Sequence, residues 1–275
     1  MQNSEPLVSV VVPTFNSERF LEMCLKSVRE QTYGNVEVIV VDNYSTDKTR
    51  EIAERLGVRI VESGAKRSEA RNIGAGKASG ELVFFVDSDM ELTPDVVGEC
   101  VRKIGEGCGG VIVPEVSVGE GFWARCKALE KACYVDDDLI EAARFFKRSV
   151  FDDVDGYDAK LEAGEDWDLN QRVCDAGYKV ERVNAFIEHK EGRLSLRDTI
   201  LKKRYYGKNL KRYERKHPNE ARQQLKLIRP AFVRNWRKLA KDPIHALGML
   251  LIKTCEFTAG RIGMMSSMSA TLSST

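Results

Sequence analysis

Two rhythms of apolar residues alternate through the first third of the chain. Val8-Ser9-Val10-Val11-Val12 is a short β-branched run that predicts a strand stopped by Pro13. From Glu18 to Gln31 the apolar positions Phe20, Leu21, Cys24, Leu25 and Val28 fall three and four apart, the spacing of one helix face. A second strand is expected over Val36–Val41, ending at Asp42. The polar loop Asn43-Tyr44-Ser45-Thr46-Asp47 then leads to a helix near Lys48–Leu56. Val58–Val61 reads as a third strand and Arg67–Ala78 as a helix. Leu82-Val83-Phe84-Phe85-Val86 predicts a fourth strand that runs straight into Asp87-Ser88-Asp89. Strand followed by helix, repeated, predicts an α/β fold whose parallel, doubly wound sheet gathers its strand ends along one edge.

The later pattern is less regular. Gly109–Pro114 and Ala142–Lys147 predict strands, the first at the far side of the sheet. Phe122–Tyr134 carries Trp123, Cys126, Leu129, Ala132 and Cys133 at helical spacing, suited to covering a site or meeting an acceptor. Asp136-Asp137-Asp138 is expected to be a solvated turn. A helix begins near Asp166 and a short strand covers Lys179–Val183. Ser195–His217 is helical in pattern, with Tyr205, Tyr206 and Tyr213 set among cations. Ile244–Ile252 is apolar, but Lys253, Glu256 and Arg261 interrupt it before the ~20 residues that a membrane span needs. Met264–Thr275 is expected to fray.

Composition adds a division that the average conceals. With 43% apolar and 31% charged residues, the 275-residue chain has the make-up of a folded globular protein. Its seven cysteines are scattered, odd in number and lack CxxC pairs, which argues for reduced thiols, a cytoplasmic compartment and neither disulfides nor zinc. No charged-then-apolar leader precedes the first strand, so no signal peptide is expected. The net charge of +1 splits unevenly. Lys190 to Lys241 holds 18 Lys and Arg against 4 Asp and Glu, a local +14, which leaves 25 against 38, or −13, elsewhere. An acidic body with a basic extension points to an anionic surface as partner.

The candidate chemistry lies on the strand edge. Along an extended strand Asp87 and Asp89 point the same way while Ser88 points away. Two carboxylates there make a hard oxygen site suited to Mg²⁺ or Mn²⁺ shared with a substrate's phosphates, where open α/β sheets bind ligands. The same edge collects Thr14, Phe15 and Asn16 with Asp42 and Asn43. Phe15 is placed to stack on a base, with Asp42 or Asn43 bonding its edge, or else to staple the first helix. Arg71 is placed to reach a diphosphate. Gly164-Glu165-Asp166-Trp167-Asp168 sets acids at a helix start, where a carboxylate serves as general base or as cap. A neutral imidazole at His189 is a third metal ligand, a phosphate partner or a structural residue. Lys190 and Arg193 stand by to neutralise a departing diphosphate.

Four stretches in this order resemble the family 2 glycosyltransferases. They are Val8-Ser9-Val10-Val11-Val12-Pro13-Thr14-Phe15-Asn16, Val40-Val41-Asp42-Asn43-Tyr44-Ser45-Thr46-Asp47-Lys48-Thr49, Ala70-Arg71-Asn72-Ile73-Gly74 and Asp87-Ser88-Asp89. The resemblance implies a GT-A fold, a mostly parallel α/β sheet that binds a nucleotide sugar. It implies that Pro13, Phe15, Asp42 and Arg71 contact the nucleotide, in a group completed by Thr14, Asn16, Asn43 and Ser88. It further implies that Asp89 with Asp87, joined by His189, holds Mg²⁺ or Mn²⁺ against the diphosphate. Glu165-Asp166 resembles the family's acidic acceptor motif, with Asp166 as base and Glu165 as its rival. The implied reaction is a single inverting displacement from a nucleotide-diphosphate sugar to a hydroxyl or phosphate acceptor. Many members carry Asp where this chain has Asn43, so uridine, guanosine and deoxythymidine all stay open.

These readings divide the chain into a catalytic part, residues 1–193, and a basic helical extension, residues 194–275, expected to lie on an anionic membrane surface. Nucleic acid is the rival partner for that charge, but no recognition motif accompanies it. Expected with the extension are a peripheral position on the inner face of the cell membrane and a lipid-linked glycan or polysaccharide precursor as acceptor. Two other readings compete. A nucleotidyltransferase would need a Gly-rich basic loop where Pro13-Thr14-Phe15-Asn16 stands, and a non-catalytic nucleotide-binding or membrane scaffold would keep the fold alone.

Overall fold

The computed structural model describes residues 5–272, with side chains described as far as Ser266. Its strands are β1 (Val8–Thr14), β2 (Val36–Asp42), β3 (Arg59–Glu62), β4 (Leu82–Phe85), β5 (Met90–Leu92), β6 (Gly110–Ile112), β7 (Glu115–Glu120), β8 (Phe145–Lys147), β9 (Val180–Arg182) and β10 (Ile187–Arg193). In the first half the helices are α1 (Leu21–Arg29), α2 (Thr49–Arg55), α3 (Arg67–Lys77) and α4 (Val96–Gly105), followed by α5 (Gly121–Ala132), α6 (Arg148–Asp153) and α7 (Glu165–Asp175). The rest of the chain is helical: α8 (Leu196–Lys216), α9 (Pro218–Gln224), α10 (Pro230–Arg234), α11 (Trp236–Lys241) and α12 (Pro243–Leu272).

The chain forms two units. One comprises residues 1–115, 142–160 and 166–190, and the other 116–141, 161–165 and 191–275. The second unit takes the chain from residue 191 onward and also includes α5, all of β7 but its first residue, and a short segment before α7.

In the first unit the strands form a sheet in the order β3-β2-β1-β4-β8-β6-β9. The pairs β1–β2, β2–β3, β1–β4 and β6–β9 are parallel, and β8 runs antiparallel to both β4 and β6. Burial on both faces explains why the central strands read as unbroken apolar runs. Val8, Val10 and Val12 of β1 and Phe84 of β4 face one core, against Leu21, Leu25 and Val28 of α1 and Val96 and Val97 of α4. Val11, Ile39, Val41 and Phe85 face the other, against Ala70 and Ala75 of α3, Phe151 of α6 and Leu169 of α7. Alternating side chains therefore build three layers from one strand pattern.

Pro13 does not stop β1, which reaches Thr14. Val11 O accepts from Val86 N on the β4 side, and Pro13, two residues on, turns the same way, past the last residue that β4 pairs. Its missing N–H is therefore not called upon. Gly74 lets α3 lie directly on the sheet, since a Cβ there would come within 2.3 Å of Val11 Cγ1.

In the second unit a small core gathers Cys126, Cys133 and Tyr134 of α5 and its C-terminal turn, Ala231 and Phe232 of α10, and Met249 and Ile252 of α12. Tyr213, expected among surface cations, is buried, and its hydroxyl donates to Gln224 Oε1 at 2.8 Å. The acidic triplet departs from a solvated turn as well. Asp137 is buried, accepting from Leu139 N and pairing with Arg234 at 2.8 Å. Helix α12 continues through Met264 to Leu272 instead of fraying there, and 273–275 lie outside the described residues. No helix among the described residues is long and apolar enough to cross a membrane.

Candidate active site

The loops after β1 and β2 are tied together by side chains chosen for short-range hydrogen bonding. Asp42 is completely buried. It accepts from Thr14 Oγ1 at 2.8 Å, Ser45 Oγ at 2.6 Å and Ser45 N at 2.9 Å, so its oxygens are spent on the loop and not on a base edge. Asn16 N donates to Ser45 Oγ at 2.9 Å, and Asn16 Oδ1 accepts from Thr46 N at 2.9 Å. Asn43 is half-buried, with its N–H on Thr14 O. Ser88 Oγ donates to Ser17 Oγ at 2.8 Å, fastening the end of β4 to this rim.

Two aromatic rings stand out of that framework. Phe15 is 62% exposed, which excludes the staple reading, and Tyr44 is 60% exposed. Tyr44 was not singled out in the sequence. It adopts φ +51°, beside Asn16 at φ +49°, and lies within reach of Gly64, whose added Cβ would stand 3.2 Å from Tyr44 Cε2. A left-handed backbone is unusual for a bulky residue and costs about 1–3 kcal/mol. The ring so placed stands in solvent at the carboxyl edge of the sheet.

The acidic tip differs from its expected geometry. Strand β4 ends at Phe85, and a turn closed by Met90 N on Asp87 O follows, so the alternation that would align Asp87 with Asp89 is lost. Asp87 Oδ1 accepts from Arg71 Nη2 at 2.7 Å, while Arg144 Nη1 stands 3.5 Å from Oδ2. Burial alone would raise the Asp87 carboxyl, but Arg71, Arg144 and Arg67 outweigh it and hold it well below the usual carboxylate range. Asp89 points elsewhere. Its Oδ2 lies 3.1 Å from His189 Nε2, and His189 Nδ1 faces Glu115 Oε2 at 3.5 Å. Arg144 closes the circuit on Glu115. His189 sits on a strand and not in a connecting segment: β10 pairs antiparallel with β5, setting His189 opposite Met90.

The third group surrounds Arg71, which is 0% exposed. Its guanidinium bridges Asp87 and Asp166, donating from Nη1 to Asp166 Oδ1 at 2.8 Å, and lies over the Tyr157 ring at 5.0 Å. Buried in this way, it pairs with carboxylates instead of reaching outward to a diphosphate. Tyr157 OH also donates to Asp166 Oδ1, at 3.2 Å. Asn72, the next residue on α3, binds the Tyr157 backbone at both N and O. Asp155 and Gly156 turn the chain there with φ +58° and +59°, where Arg172, paired with the fully buried Asp168, donates to Val154 O and Gly156 O. Asp168 is thus structural. Glu165 is buried, whereas the Asp166 side chain is 28% exposed, the more accessible acid of the pair. Lys190 pairs with Glu91 and Glu188, each at 2.6 Å, and is turned away from a diphosphate role.

As a cation site, Asp89 and His189 offer one oxygen and one nitrogen about a hydrogen bond apart. No group of three His, Cys, Asp or Glu among the described residues forms a full ligand set. Two protein ligands fit an ion that takes the rest of its shell from water and phosphate, and the imidazole favours Mn²⁺ over Mg²⁺. Arg144, Glu115, Tyr157 and Asn72 were not anticipated. Asn72 carried a signal, in the stretch Ala70–Gly74 that resembles the family, and so did Arg144, a charge within the apolar run Ala142–Phe146.

The chain matches the family model described as Glycosyl transferase family 2 over residues 9–155. Glycosyltransferase GlyA of Streptococcus pneumoniae is 39% identical over 105 residues, covering 36% of this chain but 15% of that protein. GlyG of the same organism is 32% identical over 114 residues, covering 39% of this chain and 38% of its own. The match therefore spans well under half the length of these relatives. A PGL/p-HBAD biosynthesis glycosyltransferase of Mycobacterium bovis is 28% identical over 181 residues, covering 61% of this chain and 69% of the relative. Among solved structures, the mannosyltransferase PcManGT from Pyrobaculum calidifontis, in complex with GDP-Man and Mn²⁺, superposes with a TM-score of 0.68. It is 18% identical and covers 96% of this chain and 88% of its own. S. aureus TarS 1–349 in complex with UDP-GlcNAc gives a TM-score of 0.53 at 18% identity, covering 96% of this chain and 92% of its own. Both likenesses are of fold.

Proposed function

The chain belongs to glycosyl transferase family 2 and has the GT-A fold, and from that premise we propose that it transfers a sugar from a nucleotide-diphosphate donor with inversion at the anomeric carbon. The observation that carries the reading is the joining of three elements in one unit: the exposed rings of Phe15 and Tyr44, the Asp89–His189 pair, and the partly open Asp166. The two rings stack on the base, with Asn43 at its edge, while Asp42, Thr14 and Asn16 hold the loops that present them. Pro13 shapes the same rim, and Ser88 ties it to the acidic tip. Asp89 and His189 are the residues that would hold Mn²⁺ or Mg²⁺ for the donor's diphosphate. When bound, the ion neutralises the leaving group's developing charge.

Asp87 serves as the fixed anion that positions Arg71 and Arg144 behind this site. Asp166 accepts the acceptor's proton. Oδ1 is engaged by Arg71 and Tyr157, which leaves Oδ2 for the hydroxyl. The acceptor is a lipid-linked glycan or polysaccharide precursor, met at an anionic membrane surface on the cytoplasmic side through the basic helical extension. A PGL/p-HBAD biosynthesis enzyme among the relatives and neighbours solved with GDP-Man and UDP-GlcNAc support a nucleotide-sugar donor and a glycan product.

A panel of nucleoside diphosphates titrated with Mn²⁺ tests the donor site. Phe15→Ala combined with Tyr44→Ala is expected to weaken whichever nucleotide binds by about tenfold or more, since each stacked base contributes roughly 1–3 kcal/mol. Unchanged affinity in the double variant would remove the rings from the base site.

A further inference from the structure

Helix α12 buries charge beside its apolar contacts. Met249, Ile252 and Ala259 are buried, and so are Lys253 and Glu256: Lys253 Nζ stands 2.8 Å from Glu130 Oε1, and Lys127 Nζ lies 2.8 Å from both Glu130 Oε2 and Glu256 Oε1. Burial would raise Glu130, but Lys127 and Lys253 override it and hold the carboxyl well below its ordinary value. The outward side is apolar. Ile244, Leu247, Leu251, Ile262 and Met265 are exposed, and with Thr254 and Thr258 they repeat at three- and four-residue steps along one stripe. Both threonine hydroxyls donate to their own helix, to Leu250 O and Thr254 O at 2.8 Å each, so they present methyl groups instead of polar ones. From Ile244 to Met265 the stripe runs roughly 32 Å at ~1.5 Å per residue. A helix exposed to water on that side would bear the opposite pattern.

The segments beside it say what covers the stripe. In α10 and α11, Val233 and Trp236 are exposed together with Arg234, Arg237, Lys238 and Lys241. Between Glu220 and Glu256 the only acid is Asp242. A groove of about 460 Å³ in the same unit is lined by Leu225, Leu227 and Phe257 with Arg222, Lys226, Arg261 and one acid, Glu214. Arg234 is paired with Asp137, but exposed Trp, aliphatic side chains and an excess of cations are the composition of a surface that meets anionic headgroups and the first acyl carbons. A protein partner of matching chemistry would have to be both apolar and strongly acidic. We infer that the α10–α12 face inserts into the leaflet of an anionic bilayer, α12 lying in the plane with Leu247 and Leu251 submerged and Arg237, Lys238 and Lys241 on the lipid phosphates. This rests on the membrane reading above and narrows it, from the whole extension of residues 194–275 to the α10–α12 face.

The test is flotation of the full chain with phosphatidylcholine vesicles, with and without phosphatidylglycerol, alongside Trp236 emission referenced to Trp236→Phe. Wild-type protein is expected to float with the anionic vesicles only, with a blue shift that Trp236→Phe removes. Leu247→Glu with Leu251→Glu is expected to lower partitioning by about tenfold or more at an unchanged thermal midpoint, since both side chains are already in solvent. Charge reversal at Arg237, Lys238 and Lys241 should lower it comparably, and most at low salt. Flotation untouched by the leucine pair, or no flotation of the wild type, overturns the inference. So does a dimer that the leucine pair dissociates, because a second copy would then be the occupant. Donor hydrolysis in vesicle-free solution separates the two claims: its loss in wild-type protein that still floats counts against glycosyl transfer and leaves the membrane face standing.

Discussion

Asp166→Asn is expected to lower turnover by about 10²–10⁴-fold, the usual contribution of a positioned base, while donor affinity changes little. The substitution is well matched to the question, because an asparagine keeps an acceptor oxygen for Arg71 Nη1 and Tyr157 OH, now at 2.8 and 3.2 Å. What it removes is the proton-accepting carboxylate. Single-turnover rates with saturating donor measure the chemical step directly, and equilibrium titration measures the donor. A variant that turns over normally but binds the donor poorly would reassign Asp166 as an anchor for Arg71.

Arg71→Ala is expected to cost about 3–5 kcal/mol of stability, the range for removing one partner from a buried ion pair. At roughly 2–4 °C per kcal/mol for a chain of this size, the apparent Tm falls by on the order of 10 °C. Arg71 is completely buried and serves two carboxylates at once, so its loss leaves Asp87 and Asp166 facing one another without their shared cation. Lysine will not rescue it, for want of the fork that spans both acids. The sign of the pH effect follows from Asp87, whose carboxyl is depressed in the folded state. Its stabilising contribution is complete above the unfolded value of about 4 and is lost as pH falls through the folded one. The variant, with the strongest of the opposing cations gone, should show a shallower acid dependence by differential scanning calorimetry. An unaltered Tm accompanied by lost donor binding would instead support the direct nucleotide contact that the family resemblance implies for Arg71.

The layered fold was largely legible because its signals are local. Runs such as Val36–Val41 and Leu82–Val86 are apolar on both faces, and the helix-spaced positions of α1 match its buried side. The site was legible in its residue types but not in its connections. The sequence named His189 as a partner for Asp89 100 residues away but not what joins them, which is the antiparallel pairing of β10 with β5. The turn after Phe85 likewise separates two acids that a continued strand would align. Arg71 was placed to reach a diphosphate from the helix before the fourth strand, yet its guanidinium turns inward to Asp87 and Asp166 and lies over the Tyr157 ring, whose backbone Asn72 holds. The buried charges of α12 escaped the sequence for a related reason. Lys253 and Glu256 look like interruptions until Lys127 and Glu130 of α5 are seen to neutralise them.

Everything proposed for the catalytic unit depends on Asp89 and His189 jointly holding the ion that binds the donor's diphosphate. Calorimetric titration of the preferred nucleoside diphosphate, with and without Mn²⁺, into wild-type and Asp89→Ala protein measures this directly. Wild-type affinity should rise at least about tenfold with Mn²⁺, and Asp89→Ala should lose that gain while keeping its metal-free affinity. An equal Mn²⁺ enhancement in both proteins would contradict it.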